Sequence, residues 1–306
     1  MQEKNGKLFV FGALFFTLSA CSSSPSVSDI EPQISTQLKY NAIELFPTRP
    51  SFAIKDQAYD QSLGSFKISN SDISGKYGNA MRTGYGTKVD ILEWLIEDDL
   101  IFEVEHFNKK QWQRFSFDLN KQQQAPSHNT RSECEVYAET HAEVKIVKEE
   151  TIPSSPRNYE HARINTFLLC QIKSQQGIWT LKLSAPKKGE WDISLFNDVT
   201  QIKGMSIDKA VAYKNGQPVV LPSWLGSRSG IGFYNDNTQI TALSLKDDSR
   251  VWLQRDLDSE IESVLLAANY SLIMLNWLDD QWIGIDKSFN DLLQLNQDGY
   301  YGSHDD

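Results

Sequence analysis

The segment from Asp256 to Leu275, DLDSEIESVLLAANYSLIML, constrains the fold more than any other stretch of the chain. Leu257, Ile261, Val264, Leu265, Ala268, Leu272 and Leu275 recur at helical spacing, the mark of an apolar stripe. Leu266, Ile273 and Met274 widen that stripe until little polar circumference remains. A helix apolar almost all round must be buried. It is not read as a membrane span, because Glu260 and Glu262 open it and Asn269 and Ser271 interrupt it. The acidic residues suit a helix N-terminus, and Ser259 with Glu262 fits a capping box. The remaining chain must therefore build a wall around a helix at about residues 257–277.

That wall reads as β structure. Phe102, Val104 and His106 alternate with Ile101, Glu103 and Glu105, and Phe115, Phe117 and Leu119 alternate with Arg114, Ser116 and Asp118. Between them Asn108-Lys109-Lys110-Gln111 reads as a turn, which predicts a hairpin. A second hairpin is expected to join 164–173 to 178–184 through Gln175-Gln176-Gly177, with Trp179, Leu181 and Leu183 on one face. Another strand carries Trp191, Ile193 and Leu195, and Asn215-Gly216 is a further turn candidate. The expected class is mainly β (α+β): an antiparallel β-sandwich or partial barrel packed on one buried C-terminal helix. The layout is loosely similar to the tubby-like fold, in which strands wrap a C-terminal apolar helix. The similarity is one of layout alone and carries no function.

At the other end of the chain, Lys4 and Lys7 precede the apolar run Leu8 to Leu18, and small residues follow. That order is the pattern of a secretory signal peptide. The run is shorter than the roughly 20 residues needed to cross a bilayer. Leu18-Ser19-Ala20-Cys21 resembles the lipobox of bacterial lipoproteins, whose usual form is Leu, a small residue, Ala or Gly, then Cys. The resemblance covers only the signal segment. It implies a diacylglycerol thioether on Cys21, cleavage before it, and acylation of the new amino group. Two or more acyl chains anchor a protein stably, where one does so only marginally. Ser22 rather than Asp follows the cysteine, which in enterobacterial-type lipoproteins implies transfer to the outer membrane. The expected organisation is a signal peptide over 1–20, a lipidated N-terminus and flexible tether over 21–40, one β-rich domain over 41–285, and a polar tail over 286–306.

Only Cys134 and Cys170 then remain, and an even pair in an exported chain reads as a disulfide. Cys134 shares strand parity with Val136 and Ala138, and Cys170 shares it with Leu168 and Ile172, so both thiols point with apolar neighbours. The formal net charge is −10, and removing residues 1–20, with one Glu and two Lys, makes it −11. Nucleic-acid binding, and electrostatic adhesion to anionic lipid, need Lys and Arg clusters that such a surface lacks.

The motif search yields candidates rather than a catalytic constellation. Gly84-Tyr85-Gly86 has neither the P-loop nor the dinucleotide spacing and reads as a turn. In GSRSG (226–230) Arg228 stands where a nucleophile elbow needs serine. Glu139, His141 and Glu143 share one strand face and are the weak candidates for a divalent cation, on a face that Glu133, Glu135 and Lys145 mark as solvated. Trp224 and Arg228, in the glycine-bearing loop 222–234, are anchor residue types and the candidate ligand surface.

These readings set the functional expectation. It is a lipid-anchored envelope protein, a non-enzymatic binding or scaffolding module facing the periplasm at the outer membrane. Its partners would be membrane lipid through acylated Cys21 and an envelope protein, with no cofactor and no nucleic acid. The competing expectations are a periplasmic hydrolase acting on a cell-envelope substrate, marked by a cleft with two close carboxylates or a Ser and His pair, and a carrier with an apolar cavity inside its strands.

Overall fold

The structure, a computed structural model, describes residues 30–49, 61–75, 77–89, 101–122, 129–146, 159–186, 190–214, 217–221, 229–245 and 249–278. The elements in chain order are β1 (Ile30–Pro32), α1 (Thr36–Asn41), β2 (Ala42–Leu45), β3 (Gln61–Leu63), β4 (Phe66–Ile73), β5 (Tyr77–Val89), β6 (Ile101–Lys121) and β7 (Thr130–Ile146). There follow β8 (Tyr159–Ser174), β9 (Gly177–Pro186), β10 (Asp192–Phe196), β11 (Gln201–Ile207), β12 (Ala210–Lys214) and β13 (Gln217–Val220). The chain then forms β14 (Gly230–Asn235), β15 (Thr238–Ser244), β16 (Arg250–Gln254) and α2 (Ser259–Leu278).

Thirteen strands form one antiparallel sheet in the order β2-β16-β15-β14-β11-β10-β9-β8-β7-β6-β4-β3, with β5 also paired to β6. The two edges, β2 and β3, come back together. The Thr48 N–H just past β2 donates to Gln61 Oε1 in β3 at 2.9 Å, and a Cβ on Gly64 would lie 2.7 Å from Leu45 Cδ2. The result is a nearly closed barrel with α2 inside. Helix α2 touches β6, β7 and β8 on one side and β15 and β16 on the other.

Alternation makes this wall. Phe115, Phe117 and Leu119 of β6, Cys134, Val136 and Ala138 of β7, and Leu168, Cys170 and Ile172 of β8 point inward and are buried. Trp179, Leu181 and Leu183 of β9 and Ile193 and Leu195 of β10 continue the lining, as the period-2 pattern requires. They meet an unbroken buried run on α2 from Val264 to Leu275. The described helix long and apolar enough to cross a bilayer is thus clothed by the protein's own strands. Polar groups on α2 fix its rotation. Asn269 Nδ2 donates to Thr241 Oγ1 at 3.0 Å and to the Leu265 carbonyl at 2.8 Å, and Ser271 Oγ meets Ser132 Oγ at 3.0 Å. In a dry interior such pairs are costly to leave unmade, so they select one seating of the helix.

The structure corrects four readings of the sequence. Asn108 to Gln111 is no turn: β6 runs unbroken for 21 residues, and Lys110 pairs across to Glu139 of β7 with Nζ 3.8 Å from Oε1. A polar cluster that looks like a loop in isolation is here a cross-strand charge pair. Gly84 and Gly86 likewise lie inside β5, after a bulge between Arg82 and Gly84. The cap of α2 is Asp258, whose Oδ1 accepts from the Glu260 N–H at 2.9 Å. Glu262 instead reaches Lys121.

The tether expected over 21–40 is the fourth correction, since residues 30–41 belong to the body. Strand β1 pairs with β12 in a small sheet ordered β1-β12-β13, and α1 lies on the outer face of β15 and β16. Leu38 is the reason: it is buried with Ala42, Ile207, Ala242 and Trp252, and burying a leucine contributes about 1.5–3 kcal/mol. Ser35 caps α1 by accepting from the Leu38 N–H, and its own N–H donates to Gln239 Oε1 at 2.7 Å. Glu31 accepts from Arg250 and from Tyr213. Strand β15 is consequently covered on both faces.

Candidate functional site

Cys134 and Cys170 stand directly opposite each other on β7 and β8 and are disulfide-bonded across a Cα separation of 4.1 Å. Both are buried, with Ser132 and Ser271 beside Cys134. The bridge is a structural clamp between the two strands that α2 packs on.

Of the other candidates, Glu139 and His141 lie on the outer face of β7, and both have neighbours. Glu139 Oε1 accepts from the Tyr137 hydroxyl at 2.6 Å and faces Lys110. The His141 ring stacks on His106 with centroids 5.5 Å apart, and its Nδ1 lies 3.1 Å from Asn108 Oδ1. Among the described residues no three His, Cys, Asp or Glu side chains gather as metal ligands would. Cys21, Trp224, Arg228 and the side chain of Glu143 lie outside the described residues.

What the fold does assemble on its outer face is a row of aromatic side chains. Register places Tyr77 of β5 opposite Trp112 of β6, Trp112 opposite Tyr137 of β7, and Tyr137 opposite Phe167 of β8. Residues directly opposite in a sheet share a face. The Trp112 and Tyr137 centroids are 5.5 Å apart, and those of Tyr137 and Phe167 are 5.9 Å apart. Tyr77 is 68 % exposed, Trp112 41 % and Phe167 36 %, and Leu169 beside Phe167 is 50 % exposed. Four strands spaced about 4.8 Å apart make the row roughly 14 Å long.

Polar rows flank it at about 7 Å on either side, the distance of two residues along a strand. On one side Arg114 Nη2 contacts Glu135 Oε1 at 2.7 Å; on the other are Lys110 and Glu139. Burial, reinforced by the hydrogen bond to Glu139, pushes the Tyr137 hydroxyl up to about 12, so it remains a neutral donor committed to Glu139. Further along the same face, Arg131 joins Asp118 at 2.9 Å and Glu133 at 3.0 Å, and Lys173 joins Glu133 at 2.7 Å. Those hydrogen bonds, from Lys173 first and then Arg131, hold the Glu133 carboxyl below its ordinary value. The charges there answer one another, whereas the rings present bare apolar area to water.

Sequence reasoning did not nominate this row. The signal was available only as parity. Tyr137 shares the polar parity of Glu133 and Glu135, and Phe167 and Leu169 oppose the parity of the buried Leu168 and Cys170. No family model, curated protein or solved structure matches the chain.

Proposed function

We propose that the chain is a lipid-anchored protein of the bacterial envelope, cleaved before Cys21 and acylated there. Its β body acts as a non-enzymatic binding or scaffolding module on the periplasmic side of the outer membrane. The observation that carries this reading is the Leu18-Ser19-Ala20-Cys21 sequence closing a short apolar run that follows two lysines. Two features of the body support it. A buried disulfide suits an oxidising compartment, and a row of exposed aromatic side chains in register across four strands is a surface suited to contact.

Metabolic labelling with palmitate tests the anchor. Wild-type protein should take up label and stay with membranes through a high-salt wash, while Cys21→Ala should do neither. An unlabelled wild type, or a Cys21→Ala variant that remains membrane-bound after the wash, overturns the reading.

A further inference from the structure

We propose that the outer face of β5 to β8 is a binding site for an uncharged polysaccharide strand, whose sugar rings stack on Tyr77, Trp112, Tyr137 and Phe167. The inference rests on the reading of the body as a binding module and names its ligand class. Cross-strand aromatic pairs also stabilise sheets, and that role suffices for the contact between Trp112 and Tyr137. It leaves the row's ends unexplained, because Tyr77 is 68 % exposed and Phe167 is 36 % exposed. Exposed apolar surface in register across four strands has a cost in water unless something covers it.

The shape of the strip selects the occupant. It is a narrow aromatic strip roughly 14 Å long, widened at its Phe167 end by exposed Leu169 and elsewhere bounded by polar side chains about 7 Å away. A protein partner is recognised by a broader apolar centre that excludes water around its anchors. A pyranose chain has the matching section, with C–H faces that lie against the negative faces of aromatic rings and hydroxyls around its edge. Those hydroxyls would fall beside Arg114 and Glu135 on one flank, and Lys110 and Glu139 on the other. Each flank pairs one cation with one carboxylate, so the strip is locally neutral on a chain of net charge −10. Neutrality fits a polyol and gives no reward to a charged ligand. Aromatic residues also face bilayer interfaces, but the paired charges at this rim offer anionic headgroups no net attraction.

The test uses the full chain, purified in detergent micelles, against immobilised neutral hexasaccharides of glucose and of N-acetylglucosamine in α and β linkage. Wild type should be retained by at least one of them. Trp112→Ala and Phe167→Ala should each weaken that retention about tenfold, the scale of one lost stacking contact, and Trp112→Phe should restore most of it. Both side chains lie on the exposed face, and unchanged circular dichroism and melting confirm that the variants fold. Failure of wild type to bind any of the sugars overturns the proposal, as does undiminished binding by both alanine variants. So does a loss confined to binding of phosphatidylethanolamine–phosphatidylglycerol vesicles, which would make the row a membrane-facing surface. Recovery of wild type, but not Trp112→Ala, with one stoichiometric envelope protein and no sugar would overturn the ligand class while keeping the binding module. The palmitate experiment is decided independently of all these results.

Discussion

Lys121 Nζ stands 2.6 Å from Glu262 Oε2, tying the last residue of β6 to the first turns of α2. The pair closes the end of the barrel where the helix begins, and both side chains are mostly shielded from water. Lys121→Met keeps an aliphatic stem over the Phe66 ring but leaves the Glu262 carboxylate without its cation. We expect a loss of roughly 1–3 kcal/mol in urea unfolding, the cost of an unsatisfied charged group. The double replacement Lys121→Met with Glu262→Met should cost less than the single one. A double cost equal to the sum of the two single costs would mean that the pair does not couple.

The disulfide closes a loop across a sequence separation of 36. The chain-entropy estimate for such a loop is about 4 kcal/mol. Replacing both Cys134 and Cys170 by Ala should lower stability by that order, and reductant should shift wild type, but not the double variant, in the same direction. A denaturation midpoint indifferent to reductant would show that the bridge adds no stability.

Gly64 occupies the first position of the two-residue loop between β3 and β4, at φ +63°. That backbone conformation costs an L-residue about 1–2 kcal/mol, and the added methyl would press on buried Leu45 across the barrel seam. Gly64→Ala should therefore destabilise by at least that amount. A thermal melt superimposable on wild type would show that the seam can open to accept a side chain.

Tyr137 gives a pH signature. Its hydroxyl ionises only near 12 in the folded protein, against 10.0 ordinarily. The folded state thus holds this proton more tightly than the unfolded one, so the contribution is whole below pH 10 and is lost as pH rises toward 12. Tyr137→Phe should flatten the fall in stability across that window. An unaltered alkaline profile would exclude Tyr137 as its source.

Legibility in the sequence follows the range of the interaction. The late helix could be read because its constraint is local: seven apolar residues at helical spacing, widened by three more, leave little polar side to expose. Trp179, Leu181 and Leu183, and the matched parity of Cys134 and Cys170, are visible for the same reason. Asn108 to Gln111 misleads because its partner on β7 lies 27 to 33 residues further on by register, from Gln111 with Ala138 (138 minus 111) to Asn108 with His141 (141 minus 108). Leu38 looks like part of a polar leash until β15 and β16 are placed beneath it. The aromatic row is the extreme case, one residue from each of four strands, which only the register joins.

Docking of β1 onto β12 has a consequence for where the molecule sits. From Cys21 to Ile30 there are nine residue steps, 30 minus 21. Fully stretched, such a span covers only about 30 Å. With acyl chains at Cys21, Ile30 would be held within about 30 Å of the bilayer surface. The barrel would work as a short-moored body, meeting only ligands that themselves come close to the membrane surface.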